Sequence, residues 1–342
     1  EYNKFNSQGG RITIAGGLDD GGVDSGISAA VVRTAGDGFP DGYARAEASG
    51  NADQVAGIWL GLKSDFASGN GDIVIAGRGS QSASAVGAEK GLWANTITVN
   101  SGTGKIGMFG KSTSVNFGFS YAWYVIGGNH ADGALITSAS TQADAITIIG
   151  DASSSTGSAS SGILTFSGKG GGTETGVKIA ATGVGGGVTM IGSSGNATAA
   201  PANNDAIGHG VELNFTEVLA NGGPIYIEGK TGHSTKAGIA FSSRTGVTGN
   251  KVYLGARATN PAGVTALVSS SSSPITLAAD VVTQNTSTPS EFATTGAIVI
   301  RPLTNNFAAT FNNTGMNMGT GASSITFGKD GNTGGITVGQ AI

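Results

Sequence analysis

Short alternations of apolar and polar residues recur along the whole chain, usually close to glycine. The commonest phrase is apolar-x-apolar, and no comparable stretch shows the i, i+3, i+4 spacing of a helix. Strict alternation over a few residues is typical of a half-buried β-strand. The phrases begin at Ile12, Ile73, Ile106, Ile146, Val188, Ile225, Val252, Ile275, Ile298, Ile325 and Ile336. The pattern therefore predicts an all-β protein made of many short strands.

A second phrase, glycine followed by an apolar residue, lies between these strands, as in Gly57-Ile58, Gly91-Leu92 and Gly162-Ile163. We interpret the alternation as two kinds of strand in one coil. The first phrase repeats about every 23 to 42 residues, a period typical of a solenoid. We therefore predict a right-handed parallel β-helix (β-solenoid) of about 11 to 14 coils, roughly 55 to 70 Å long at ~4.8 Å per coil.

We expect residues 1–342 to form one β-solenoid domain, a single elongated rod that is a segment of a longer repeat protein. The repeats are clearer in residues 71–342 than in residues 1–70. The final phrase, Ile336-Thr337-Val338, looks like sequence from the middle of a repeat. Because uncapped solenoid ends expose backbone groups, we expect the chain to continue or to stack end to end on another copy.

Composition agrees with this fold. Glycine accounts for 61 of the 342 residues, whereas ordinary domains have about 7% glycine. Charged residues make up 12% of the chain, about half of the ordinary share of about 25%. The 38% of hydrophobic residues is too high for a disordered linker. A β-sandwich array is the other alternative, but it predicts longer strands at roughly 8 to 12-residue spacing.

Charge and cysteine content restrict the partners. The net charge of -4 opposes nucleic-acid binding, which needs a basic surface. There is no cysteine, and no stretch approaches the ~18 apolar residues that a membrane span needs. We expect an extracellular or bacterial cell-surface protein without a membrane span.

Residues that carry catalytic or metal chemistry are scattered. His130, His209 and His233 lie in unrelated phrases, and we interpret them as surface histidines. The acidic and basic residues are too dispersed to nominate a catalytic pair. Asp19–Asp24 could be solvated turn aspartates or a calcium site. We predict no enzyme activity, no cofactor and no metal site, with a β-helical glycan-binding or glycan-cleaving protein as the alternative.

Ice binding is a further alternative, because threonine often fills the central position of the alternating phrase. Each phrase has only one such threonine, as in Thr13 and Thr147. Ordinary β-propensity accounts for single outward threonines.

Aromatic residues form the most specific local pattern. Trp59 and Trp93 each follow a glycine-apolar pair, so they hold the same position in two repeats. We expect them on the same side of neighbouring coils, with Trp123 close by. Such residues form either an aromatic stack of the core or an exposed contact strip that binds a glycan or a neighbouring fibre. The contact strip would consist of Trp59, Trp93, Phe117, Phe119, Tyr121 and Trp123.

Six of these phrases have a common character of glycine or proline next to alternating apolar residues. They are Gly71–Gly77 (GDIVIAG), Lys90–Trp93 (KGLW), Gly223–Gly229 (GPIYIEG), Pro274–Leu277 (PITL), Gly296–Thr304 (GAIVIRPLT) and Ser324–Gly331 (SITFGKDG). These phrases resemble the repeats of filamentous haemagglutinin-like exoproteins, the giant bacterial surface adhesins. The resemblance covers most of residues 70–342.

The resemblance implies a right-handed β-helix, export by two-partner secretion, and an adhesive or scaffolding role. The secretion domain of that family is not recognisable in this chain. We therefore expect a structural stalk or fibre segment of a secreted bacterial adhesin or extracellular filament. Its partners would be chains of the same type, the remainder of a longer fibre, or host or matrix glycans.

Overall fold

The structure is a computed structural model, and its described residues form only strands, turns and bends. None of them forms a helix that is long and apolar enough to cross a membrane. Most strands belong to three long parallel sheets, so the predicted all-β parallel β-helix is confirmed. The described residues are 3–17, 36, 38, 40–46, 54–61, 63–79, 88–113, 119–127, 133–156, 160–170, 173–196, 208–242, 251–257, 267–319 and 321–340.

Sheet 1 has seven strands. They are β4 (Gln54–Leu60), β7 (Ala88–Asn95), β10 (Phe119–Ile126), β13 (Ser160–Phe166), β18 (Val211–Asn214), β21 (Ile239–Ser242) and β24 (Val282–Gln284). Sheet 2 has nine strands. They are β1 (Asn3–Asn6), β5 (Ser64–Ala67), β8 (Ile97–Asn100), β11 (Ala134–Ser138), β16 (Val177–Ala181), β19 (Thr216–Ala220), β22 (Tyr253–Gly255), β25 (Ser290–Ala293) and β28 (Met316–Met318).

Sheet 3 has ten strands, one of which, β3 (Ala44–Arg45), lies off the main path and pairs with β6. The others are β2 (Ile12–Ile14), β6 (Ile73–Arg78), β9 (Ile106–Lys111), β12 (Ile146–Asp151), β17 (Val188–Ser193), β20 (Ile225–Lys230), β23 (Ile275–Ala278), β26 (Ala297–Arg301) and β29 (Ser324–Phe327). An antiparallel hairpin of β14 (Gly168–Gly170) and β15 (Thr173–Thr175) and a parallel pair of β27 (Phe311–Asn312) and β30 (Ile336–Thr337) complete the described strands.

Seven coils of the described residues pass through sheet 1, then sheet 2, then sheet 3, and equivalent residues stack in register. Ile73, Ile106 and Ile146 are aligned Cα partners in sheet 3, and Ile58 and Leu92 are aligned in sheet 1. Their side chains point inward and belong to one apolar cluster that runs along the rod. Because each rung buries its apolar residues only against its neighbours, stability grows by stacking.

Within the described residues, the rod has fewer coils and more kinds of strand than predicted. Sheets 2 and 3 each have nine rungs on their main paths, so the described rod is about 40 Å long at ~4.8 Å per rung. The prediction was too high because Val252-Tyr253-Leu254 belongs to sheet 2, and Ile336-Thr337-Val338 lies outside the three sheets. Each complete coil contains three kinds of strand, and the sheet 2 strands were not recognised as a separate kind.

Glycines make the corner where sheet 3 turns towards sheet 1. Gly77, Gly110 and Gly150 are aligned partners near the ends of their strands, followed by Gly192 and Gly229. A Cβ atom on Gly110 would fall on the carbonyl oxygen of Ala122. The two chain segments therefore approach more closely than any side chain allows.

Serine hydroxyls stabilise the corner between sheets 2 and 3. The Ser101 hydroxyl donates a hydrogen bond to the Gly104 carbonyl at 2.6 Å, and the Ser68 hydroxyl donates to the equivalent Gly71 carbonyl one rung earlier. Ser68 also donates to the Ser101 carbonyl at 3.1 Å, which links the two rungs. These hydroxyls thus give the Gly71 and Gly104 carbonyls a hydrogen-bond partner within each turn.

Candidate functional site

The outer face of sheet 1 contains an aromatic ladder of Trp59, Trp93 and Tyr124. The three residues are aligned Cα partners on β4, β7 and β10. The Trp59 and Trp93 rings stack with centroids 5.2 Å apart and planes 11° apart. Trp59 is 64% exposed, which is unusual for so large an apolar side chain. The expectation that Trp59 and Trp93 share one side of neighbouring coils is confirmed.

Two further side chains pack beside this ladder. The Lys90 ammonium lies 4.1 Å from the centre of the Trp93 ring, within the range of a cation–π interaction. Burial lowers the pKa of Lys90 to about 8. One rung on, the Tyr121 and Tyr124 rings stack at 4.8 Å, and burial raises the pKa of Tyr121. Lys90 and Tyr121 occupy equivalent positions, so each supports the aromatic residue three positions later.

Trp123 does not belong to the exposed surface, which corrects the predicted contact strip. It is aligned with Leu92, points inward and is fully buried. The reason is the alternation of the strand: Tyr124, and not Trp123, holds the position equivalent to Trp93. Phe119 begins β10, and Phe117 lies outside the described residues. The contact strip therefore divides into the outward ladder and an inward core tryptophan.

The line of aligned outward positions that contains the aromatic ladder, called the outer column of sheet 1, continues into a region where its side chains are buried. Leu164, Glu212 and Ala240 follow Tyr124 in register and are buried although they hold outward positions. Burial raises the pKa of Glu212 to about 8, while the hydrogen bond from Ser242 (2.7 Å) and the charge of Lys236 act in the opposite direction. The carboxyl group is thus largely protonated at neutral pH. Sequence reasoning missed it, because an outward glutamate on a strand ordinarily faces water.

Stacking also brings charged residues together on the outer face of sheet 2. Lys178 and Glu217 are aligned, and so are Tyr253 and Glu291 further along the same column. Glu217 pairs with Arg257, whose guanidinium lies 4.4 Å from the Tyr253 ring.

The second acid of this column, Glu291, is also held in place. It accepts hydrogen bonds from Lys251 at 2.7 Å and from the Asn317 amide at 2.5 Å. The hydrogen bond that Lys251 donates to Glu291 raises the pKa of Lys251. Since Glu217 and Glu291 both have cationic partners, the column is suited to cross-linking rungs rather than to acid–base chemistry.

The described histidines are buried, which corrects their interpretation as surface residues. His209 Nδ1 accepts a hydrogen bond from the Ala237 amide at 3.0 Å, and His233 Nδ1 accepts one from the Thr235 amide at 3.2 Å. Burial lowers the pKa of His233. His130 and the Asp19–Asp24 cluster lie outside the described residues. Among the described residues, no three His, Cys, Asp or Glu side chains are grouped so that they could hold a metal ion.

A shallow cleft of about 310 Å³ lies at the outer edge of sheet 2. Its described lining contains no ionisable side chain; it consists of Ala256, Ser269, Ser270, Ser271, Ala293, Thr294, Thr295, Gly319 and Gly321. The cleft offers hydroxyl groups but no acid, base or nucleophile pair. The aromatic ladder is therefore the more specific candidate site.

Comparisons with known proteins found no match to the chain among protein-family models, curated proteins or solved structures. The fold and the surfaces described above are therefore the basis for function.

Proposed function

We propose that this chain is a structural stalk or fibre segment of a secreted bacterial surface adhesin or extracellular filament. The observation that carries the proposal is the single apolar cluster that extends through the rungs from Ile58 to Met318. Such a core gives length and stiffness in one direction, which a fibre needs and a compact binding domain does not.

The exterior supports the same function. The outer surface contains ion pairs between residues of neighbouring rungs, such as Lys251–Glu291 and Arg257–Glu217. The cleft and the charged column both lack a free acid–base pair in the described residues. The resemblance of residues 70–342 to filamentous haemagglutinin-like repeats adds an adhesive or scaffolding role at the bacterial surface.

The test uses the native material. Antibodies against the purified chain should label filaments on intact cells in immunogold electron microscopy, and deleting the coding region should reduce attachment of the cells to surfaces. Labelling confined to the cell interior would contradict the proposal. Turnover of any oligosaccharide in a broad panel, abolished by heat denaturation, would instead favour the glycan-cleaving alternative.

A further inference from the structure

An acid, an amide and a hydroxyl meet on the covered part of the outer face of sheet 1. Glu212 and Asn214 are two residues apart on β18 and so point to the same side, and Asn214 is aligned with Ser242 on β21. The Ser242 hydroxyl donates a hydrogen bond to Glu212 Oε1 at 2.7 Å. The Asn214 amide donates one from Nδ2 to the same hydroxyl oxygen at 3.3 Å. One serine thus connects two side chains of β18 to the neighbouring strand.

Two oxygen atoms of this group have no hydrogen-bond donor among the described residues. They are Glu212 Oε2 and Asn214 Oδ1. Both side chains are buried, with 0% and 3% exposure, so water in the bulk does not supply a donor. A buried acceptor without a donor is costly, and two at one place call for an explanation. Because both atoms belong to groups that already share Ser242, one donor between them would satisfy both.

A proton on Glu212 is a donor that the group itself can provide. A protonated carboxyl group donates through its O–H, whereas an ionised one only accepts. Burial raises the pKa of Glu212 to about 8, so the proton is present at neutral pH. Lys236, in the turn before β21, acts in the opposite direction, and Tyr121 on β10 also lies within electrostatic range. The aligned residues of β13 and β21, Leu164 and Ala240, add no charge.

We propose that Glu212 donates this proton from Oε2 to Asn214 Oδ1, which closes a ring of three hydrogen bonds that clamps β18 to β21 and opens when the carboxyl group ionises. In the ring, Glu212 donates to Asn214, Asn214 donates to Ser242, and Ser242 donates to Glu212. Each group therefore donates once and accepts once, and bonds in such a chain polarise one another. The inference goes beyond the proposed fibre function and does not depend on it.

Ionisation turns the clamp into a repulsive contact. The proton passes to solvent, and Glu212 Oε2 then carries negative charge beside a second acceptor, Asn214 Oδ1. Because the pKa of Glu212 is raised on folding, the stabilisation is complete below pH 4.5 and is lost as the pH rises to about 8. The two clamped strands have only four residues each. We therefore expect β18 and β21 to open before other rungs in alkaline solution.

The first experiment follows the C=O stretching band of protonated carboxyl groups by infrared spectroscopy from about pH 6 to about pH 10. The parent should show a band that disappears with a midpoint near pH 8. Glu212→Gln should lack this band and remain folded, because glutamine can also donate to Asn214. Glu291→Gln, which replaces an ion-paired acid on sheet 2, is the matched control and should keep the band. If the spectra of the parent and Glu212→Gln contain the same carboxyl bands at pH 6, the inference is wrong.

The second experiment tests the ring partners by the midpoint of the same band. Asn214→Leu removes the acceptor of the protonated form and should move the midpoint to lower pH. Ser242→Ala removes a donor to the carboxylate and should move it to higher pH. We expect shifts of about one pH unit, a tenfold change in proton affinity. A higher midpoint in Asn214→Leu would mean that Asn214 donates to the ionised carboxylate, and no ring would exist.

The third experiment needs only the parent and Glu212→Gln, and it measures hydrogen exchange corrected for the intrinsic rate at each pH. Opening that exposes Glu212 to water should lower the protection of β18 and β21 roughly 50-fold between pH 6 and pH 8 in the parent. The protection should stay constant in Glu212→Gln, and also at β9 and β12 of the parent. Equal loss in all four strands, or no loss at β18 and β21, would overturn the clamp.

Discussion

The outer column of sheet 1 has two regions with opposite surroundings. At β4 and β7 the column is aromatic and open to solvent, and Trp59 is the most exposed ring among its members. At β13, β18 and β21 the same column holds Leu164, Glu212 and Ala240, all of which are buried. The backbone register is continuous between the two regions.

The difference shows that strand alternation determines which side of the sheet a residue occupies, but not whether that side is covered. Sheet 3 gives a second example. Its outward residues Val74, Phe109 and Ile149 form a small buried cluster with Tyr43, which comes from the segment that follows β2. The solvent exposure of outward side chains on a solenoid therefore differs from rung to rung, and strand alternation alone does not determine it.

The sharpest test of the comparison is the pair Trp123→Ala and Trp59→Ala. Trp123 is fully buried, so its removal leaves a cavity, and we expect a loss of about 4 kcal/mol in the free energy of unfolding. Trp59 is largely exposed, and its replacement should cost less than about 1 kcal/mol. Guanidinium unfolding monitored by circular dichroism measures both. Similar losses for the two variants would contradict the assignment of inward and outward positions.

A pH series on Glu212→Gln tests the covered region. Because burial raises the pKa of Glu212 to about 8, the protonated carboxyl favours the folded state below pH 4.5, and this stabilisation is lost as the pH rises from 4.5 to 8. The variant should therefore equal the parent near pH 4.5 and exceed it at pH 8, by an amount on the order of 4 kcal/mol. Thermal melts at the two pH values provide the measurement. A difference that does not change with pH would mean that Glu212 is solvated.

Gly110→Ala tests the close corner between sheets 3 and 1. The new Cβ would overlap the Ala122 carbonyl, and we expect destabilisation of about 3 kcal/mol from the forced backbone shift. Gly61→Ala is the matched control, because no atom of the described residues beyond its chain neighbours lies within 4 Å of the equivalent Cβ. Urea unfolding of both variants distinguishes a steric clash at this corner from the effect of replacing any glycine by alanine. Equal stability of the two variants would show that the corner can relax.

The smallest effect is expected at Thr147, on the covered outer face of sheet 3. Its hydroxyl is buried and has no hydrogen-bond partner among the described residues. Thr147→Val should raise the free energy of unfolding by about 1 kcal/mol, because it removes an unpaired polar group at constant shape. Thr189→Val, one rung on and partly exposed, should be nearly neutral. A loss of stability in Thr147→Val would indicate a water bound to the hydroxyl.

Much of the fold could be predicted from the sequence because alternation and glycine positions are local signals. Nine of the apolar-x-apolar phrases, from Ile12 to Ile325, mark the nine main-path strands of sheet 3. The sheet 2 strands were harder to assign, because their inward positions vary from Phe66 to Ala134 and Met316 and no flanking glycine marks them consistently.

The candidate site could be predicted only in part. The shared position of Trp59 and Trp93 was visible from the glycine-apolar phrase, and the structure confirms it. Trp123 was assigned to the same set because β10 has Ala122 where β7 has Gly91, so no phrase fixed its register. The burial of Glu212 could not be predicted, because the alternation of its strand gives only the outward direction of the side chain.

The direction of the backbone hydrogen bonds determines how such a rod responds to force. In each of the three sheets the bonds between neighbouring strands run along the rod axis, so tension applied to its ends loads one rung at a time. The rungs then separate one after another, as in unzipping. Each coil gives one low force peak, and its separation releases several tens of residues of chain. Cross-rung ion pairs such as Lys251–Glu291 would raise individual peaks. A rod built in this way would dissipate mechanical work gradually and lengthen many-fold before its last rungs separate.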